Sequence, residues 1–149
     1  MRIAVFGMGY VGCVTGACLA RMGHTVTGVD VSEIKVRMIN QGRSPVVEKG
    51  MDPLVKRMVK AGRFHATLDA AEAMHGAEIS LITVGTPSRK DGDADLAHVL
   101  HAARDIGKAL RNSKRFHTVV LRSTVPPGTV RRFRSSPSVL RREKTEYRR

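Results

Sequence analysis

The first thirty residues constrain this chain more than any other stretch. Ile3, Ala4, Val5 and Phe6 form a short continuous apolar run, the pattern of a parallel strand buried on both faces. Gly7, Gly9 and Gly12 follow at G-x-G-x-x-G spacing. The first glycine permits a tight turn out of the strand, and the second removes a side chain where a pyrophosphate would approach. The third lets a helix pack close on the strand. A helix beginning there points free N–H groups and its positive dipole end at the phosphates. Val11, Val14, Cys18, Leu19 and Met22 recur at helical period, Gly23 ends the helix, and Thr25 to Val29 reads as a second strand. Asp30 closes that strand, where a carboxylate can accept hydrogen bonds from an adenosine ribose. The order of strand, glycines, helix, strand and acid predicts a dinucleotide-binding site at Gly7, Gly9, Gly12 and Asp30.

The remaining chain keeps alternating. Ser32 is positioned as the N-cap of a helix whose apolar face is Ile34, Met38 and Ile39, stopped at Asn40-Gln-Gly42. Lys35, one turn past Asp30, is placed to reach the ribose or the adenosine-side phosphate. An acid at 30 repels a 2′-phosphate and favours NAD over NADP, a preference that Lys35 and Arg37 soften. A loop from Arg43 to Gly50 precedes a helix that Asp52 would cap with Pro53 at its first position, striped by Leu54, Val55, Met58 and Val59. Phe64 to Thr67 reads as an edge strand, and Asp69 to Met74 as a short helix closed by His75-Gly76. Ile79 to Val84 is a buried strand ending in Gly85-Thr86-Pro87. Asp95 then caps a helix to Leu110 whose face carries Leu96, Val99, Leu100, Ala103, Ile106 and Leu110. Thr118 to Leu121 is a fifth strand, followed by Ser123-Thr124-Val-Pro-Pro-Gly128-Thr129. Both hydroxyl-and-glycine turns fall at the carboxyl edge of the sheet, where doubly wound folds bind ligands. The fold class is α/β, a Rossmann-type doubly wound parallel sheet in a single domain.

Charge and cysteine content narrow the partners. The net charge is +13, and the last nineteen residues hold eight Arg and Lys against Glu143 and Glu146, so nearly half of the excess sits in a short tail. Aromatic content is only 4% and no RNA-recognition or zinc motif is present, so specific nucleic-acid binding is not expected. The basic tail would hold polyanions loosely and release them as salt rises. Cys13 and Cys18 share one helix five residues apart, which is neither redox-pair nor metal-ligand spacing, and they read as buried reduced thiols. The histidines form no metal cluster; His98 and His101 read as solvated or half-buried helix residues. No run approaches the length of a membrane span, and Arg2 before an apolar run is better explained by the strand and glycines than by a signal peptide. The expected compartment is the cytoplasm.

Gly7-Met-Gly-Tyr-Val-Gly12, Asp30, Ser44-Pro-Val-Val-Glu48, Val84-Gly-Thr-Pro87 with Asp91-Gly-Asp-Ala-Asp95, and Ser123-Thr-Val-Pro-Pro-Gly-Thr129 together resemble the NAD-binding domain of the UDP-glucose/GDP-mannose dehydrogenase family. The resemblance covers residues 1 to about 130. It implies NAD contacts at Tyr10, Val11, Asp30, Lys35, Thr86 and Thr124, with the N–H groups of Tyr10 and Val11 on the pyrophosphate and the two threonine turns beside the nicotinamide half. It implies a 6-dehydrogenase in which the C6 hydroxyl of a nucleotide sugar is oxidised twice, by two NAD molecules, through a thiohemiacetal and a thioester on a cysteine. Val47 stands where UDP-glucose members usually carry an aromatic residue, and His117 to Thr124 looks more like the GDP-mannose members that feed alginate-type polymers. GDP-mannose is therefore preferred over UDP-glucose.

The family pattern stops after Val130. The family continues with a helix, a sixth strand, a catalytic glutamate, the cysteine nucleophile, a catalytic lysine and the segment used for oligomerisation. None is recognisable in Arg131 to Arg149. The expectation is a domain at 1–130, truncated after the fifth strand, and an irregular basic tail at 131–149 from a truncated or frame-shifted dehydrogenase. Such a chain would carry no catalytic residue and be inactive by itself, and its unpaired sheet edge would favour aggregation. A free-standing, non-catalytic NAD-binding module is the alternative.

Overall fold

The computed structural model describes residues 1–89, 92–111, 113 and 115–131. Five strands, β1 (Arg2–Phe6), β2 (Thr25–Val29), β3 (Phe64–Thr67), β4 (Ile79–Ile82) and β5 (Thr118–Leu121), form one sheet in the order β3-β2-β1-β4-β5. Every pairing is parallel, with Ile3 beside Val26 on one side and Ile79 on the other. The helices are α1 (Tyr10–Arg21), α2 (Glu33–Asn40), α3 (Met51–Lys60), α4 (Ala70–Met74) and α5 (Ala97–Leu110). The doubly wound α/β expectation holds.

β1 is apolar throughout because it feeds two cores. Ile3 and Val5 face α1, α2 and α3 with Val26, Ile39, Val55 and Phe64. Ala4 and Phe6 face the opposite layer with Met74, Ile82, Val99 and Ile106. The chain order reverses direction between β1 and β4, which opens a crevice at the carboxyl ends of these strands.

Several local expectations are corrected. The face of α1 that meets the sheet is Gly12, Cys13, Gly16, Ala17 and Ala20, whereas Val11 and Met22 are exposed. Small residues win because the helix lies close on the strands: a Cβ on Gly16 would sit 3.1 Å from the Phe64 ring. Cys13 is buried but Cys18 is only half-buried, so the paired-burial reading holds for one thiol; both are free. In α2 the buried residues are Val36 and Ile39, and Ile34 is 69% exposed. Asn40 sets this rotation. Its amide donates to Ala66 O and accepts from Ala66 N–H, both at 2.8 Å, docking the helix end on the outer side of β3.

Ser32 occupies the N-cap position of α2 but makes no side-chain cap bond; its N–H donates to Asp30 Oδ1 instead. α3 begins at Met51 after Gly50, whose left-handed φ of 82° turns the chain into the helix. Asp52 is therefore not its cap; its Oδ1 accepts from Ser44 N–H at 2.6 Å and ties down the preceding loop. Asp69 does cap α4, accepting from Ala71 N–H, and Asp95 accepts from Ala97 N–H at the start of α5. β4 ends at Ile82 rather than Val84, and the Thr83 N–H and hydroxyl both reach Phe6 O at the β1 turn. Residues 132–149, which hold all but the first residue of the expected tail, lie outside the described residues, as does Asp91.

Candidate functional site

The glycine turn stands at the carboxyl end of β1. Gly7 has φ of 99°, a conformation open to glycine, and its N–H donates to Val29 O at 2.7 Å. Gly12 is required by contact: a Cβ there would lie 1.8 Å from Gly7 O and 2.6 Å from Thr83 Oγ1. Gly9 is different. Its φ of −76° suits any residue, and apart from its neighbours in the chain no protein atom lies within 4 Å of the position its Cβ would take. Nothing inside the protein calls for glycine at 9, so the space in front of it is free for an external group.

The first intrahelical bond of α1 runs from Cys13 N–H to Gly9 O at 2.9 Å. The N–H groups of Gly9, Tyr10, Val11 and Gly12 are those a helix leaves without an internal acceptor. No side chain caps this end and no acid lies in its first turn. The end therefore keeps its partial positive charge uncompensated by protein, as an anion site requires.

Asp30 is 8% exposed at the end of β2. Its Oδ2 accepts from Met8 N–H at 2.7 Å and from Lys35 Nζ at 3.2 Å, while Oδ1 accepts from Ser32 N–H at 2.9 Å. The carboxylate thus braces the middle of the glycine turn and retains one acceptor position on Oδ1 for a ribose hydroxyl. Lys35 is brought to the predicted place, but its ammonium is engaged by Asp30.

Thr86 and Thr124 are brought together at the ends of β4 and β5: Thr86 Oγ1 donates to Thr124 O at 2.8 Å. Thr83, which sequence reasoning passed over, locks this side to the glycine turn, and Ser123, already part of the expected hydroxyl turn, ties the ends of β4 and β5 together. Thr83 Oγ1 reaches Phe6 O and Gly7 O, both at 2.9 Å, and Ser123 Oγ donates to Val84 O at 2.6 Å. Arg122 was also missed; its guanidinium donates to Thr15 Oγ1 of α1 at 2.9 Å. A threonine immediately after a buried strand that ends beside a glycine turn was the available signal for Thr83.

All nine predicted residues lie along one rim of the sheet. Two half-open hollows among the described residues lie elsewhere. One of about 340 Å³ is lined by His75, Arg115, Phe116 and His117 at the amino ends of β4 and β5, opposite this rim. Another of about 420 Å³ runs between α1 and α3 past Val14, Cys18 and Arg57. The rim is the crevice at the switch point of the sheet, between β1 and β4. Among the described residues no group of His, Cys, Asp and Glu could hold a metal ion, and no helix is long and apolar enough to cross a membrane.

Comparison with known proteins gives a consistent result. Residues 1–146 match the UDP-glucose/GDP-mannose dehydrogenase family, NAD binding domain. GDP-mannose 6-dehydrogenase of Pseudomonas putida is 50% identical over 131 residues, covering 88% of this chain and 30% of that protein. UDP-glucose 6-dehydrogenase of Rhizobium meliloti is 45% identical over 130 residues, 87% of this chain and 29% of that protein. A crystal structure of a ternary complex of GDP-mannose dehydrogenase from Pseudomonas aeruginosa superposes with a TM-score of 0.86 at 50% identity, covering 88% of this chain and 30% of that one.

Proposed function

The chain belongs to the UDP-glucose/GDP-mannose dehydrogenase family, NAD binding domain, and we propose that its glycine rim holds NAD for a nucleotide-sugar 6-dehydrogenase acting on GDP-mannose. The chain spans about 30% of the length of the curated relatives it matches, so the double oxidation is proposed for a whole protein of that kind. The observation that carries the reading is Gly9, a glycine that no protein contact demands, facing open space at an uncapped helix end.

Each residue has a definite task in this reading. Gly7 and Gly12 shape the turn and its helix contact. Gly9 leaves room for the pyrophosphate, and the N–H groups of Tyr10 and Val11 donate to it. Asp30 accepts from the adenosine ribose through Oδ1, and Lys35 adds a positive charge beside it. Thr86 and Thr124 support the nicotinamide half. Bound NAD supplies the hydride acceptor. The protein's own contribution is orientation: a brace from Asp30 and a clamp from Thr83 fix both halves of the rim. No residue of the described rim is a thiol, since Cys13 is buried under α1 and Cys18 lies farther along it. The cofactor unit is taken as residues 1–130, and these 149 residues alone are expected to bind NAD without turnover. The free thiols fit a cytoplasmic setting.

UDP-glucose is the second reading of the substrate, favoured by the 45% identity to the Rhizobium enzyme. Calorimetry with NAD, run beside an NADH-forming assay on GDP-mannose and on UDP-glucose, tests the proposal. NAD binding without turnover is the expected result, and absence of NAD binding would overturn it. The product of an alginate-type pathway is expected from a GDP-mannose enzyme, which a uronic-acid assay of the whole protein would check.

A further inference from the structure

The first turn of α1 presents a physical difficulty. It must stay ordered to aim its N–H groups, yet it lacks the devices that ordinarily hold a helix start. Gly9 offers no capping side chain, and the first turn contains no acid. Any protein acceptor placed there would occupy the anion's position. Asp30 and Thr83 hold the preceding turn; order in the helix start itself can come from a side chain that points away from the N–H groups.

Tyr10 provides it. It is the first residue of α1, is 55% exposed, and contributes nothing to either core. Its phenol O–H donates to the Glu48 carboxylate, a residue distant in sequence. Glu48 stands on a firm post. Its carbonyl accepts from Met51 N–H at 3.1 Å, so its backbone is joined to the start of α3. Ser44, at the other end of the same loop, is 8% exposed, bonded to Asp52, and lies 4.0 Å from Cys13 Sγ. The loop is thereby fixed independently of Tyr10.

We infer that Glu48 is a positioning residue for the dinucleotide: through the Tyr10 hydroxyl it pins the first turn of α1 and holds the Tyr10 and Val11 N–H groups in their binding orientation. The inference rests on the NAD reading above and adds a residue to it. Pre-organisation of this kind raises affinity by lowering the ordering cost of binding. The Glu48 hydrogen bond, with the adjacent negative charge, also holds the Tyr10 phenol above its ordinary ionisation range, which gives the contact a signature of its own. The chain has two tyrosines and no tryptophan, so tyrosinate absorbance reports Tyr10 cleanly once Tyr147 is replaced by Phe.

The test uses the full chain with Tyr10→Phe, Glu48→Ala, Glu48→Gln and the Tyr10→Phe/Glu48→Ala double variant. Calorimetry with NAD should show a three- to ten-fold loss for each of Tyr10→Phe and Glu48→Ala, roughly the worth of one hydrogen bond. The double variant should lose no more than the worse single one, and Glu48→Gln, which keeps an acceptor, should stay within about two-fold of the parent. Hydrogen exchange at the Cys13 amide should quicken in Glu48→Ala, and Tyr10 should ionise at lower pH there. Unchanged Kd and unchanged Cys13 exchange in both single variants would overturn the inference while leaving NAD binding intact. If the parent itself fails to bind NAD, the functional reading falls, and the exchange and ionisation measurements alone decide whether Glu48 pins the turn.

Discussion

Two glycines of one motif should fail in opposite ways. In Gly12→Ala the new methyl would lie 1.8 Å from Gly7 O, a backbone atom that cannot rotate away. Contact distances run to about 3 Å or more, so α1 must retreat from the turn by roughly 1 Å, a gap that forfeits a quarter to a half of the dispersion energy across it. Cys13, Gly16, Ala17 and Ala20 all pack on the sheet through that helix. Overpacking of this kind costs about 3 kcal/mol, against a gain of at most about 1 kcal/mol from replacing glycine in a helix. The net loss of ~2 kcal/mol corresponds to a fall in Tm of roughly 4–8 °C for a chain of this size. Apart from its neighbours in the chain, Gly9→Ala meets no atom within 4 Å and needs no unusual φ. Its Tm should stay within about 2 °C of the parent. Its NAD affinity should drop ten- to a hundred-fold, the worth of one charge-assisted hydrogen bond displaced by the methyl. Circular dichroism melts and NAD calorimetry on the two variants give the four numbers. A Gly9→Ala protein that binds NAD like the parent refutes the phosphate cradle. A Gly12→Ala protein with an unchanged Tm refutes the close helix contact.

Other outcomes follow from single groups. Asp30→Ala removes the acceptor of the Met8 N–H and of Lys35, and urea unfolding should show a loss of about 2–3 kcal/mol together with weaker NAD binding. Thr83→Val keeps the shape but strips the hydroxyl from Phe6 O and Gly7 O, which should cost about 1–3 kcal/mol in the same assay. His117 donates Nδ1–H to Ala77 O and accepts from Ser80 at Nε2, and burial lowers its ionisation below the usual histidine value of 6.5. Its unfolded form binds a proton first, so its stabilisation is full above about pH 6.5 and drains as pH falls through the lower folded value. Unfolding at pH 7.5, 6 and 5 should show a slope that His117→Gln reduces. Burial raises the Cys13 thiol, so a thiol reagent should label Cys18 in the native chain and reach Cys13 only on unfolding.

The fold was legible where the sequence repeats a physical pattern. β1 declared itself as buried on both faces because four consecutive residues are apolar, and the G-x-G-x-x-G spacing located the turn. Less legible was anything set by tertiary contact. Val11 and Met22 have the period of a buried face, yet the helix turns its smallest residues inward because close approach outweighs side-chain size. Asp52 has the chemistry of a cap, but Gly50 takes the turn and frees the carboxylate for Ser44. Thr83 and Glu48 touch residues far away in sequence, and only the tertiary fold sets those partners; the place of Thr83 just after a buried strand is the one local sign. Asp30 and Thr86 stand at the crevice because they follow strand ends, which topology fixes.

The pairing of Asn40 with Ala66 has a consequence for how the molecule meets others. A strand approaching along β3 would first have to evict a side-chain amide that already mimics a neighbouring peptide group. Lateral association from that flank begins with two broken hydrogen bonds before any is gained. The β3 flank is therefore a poor template for strand addition, a protection written into one asparagine.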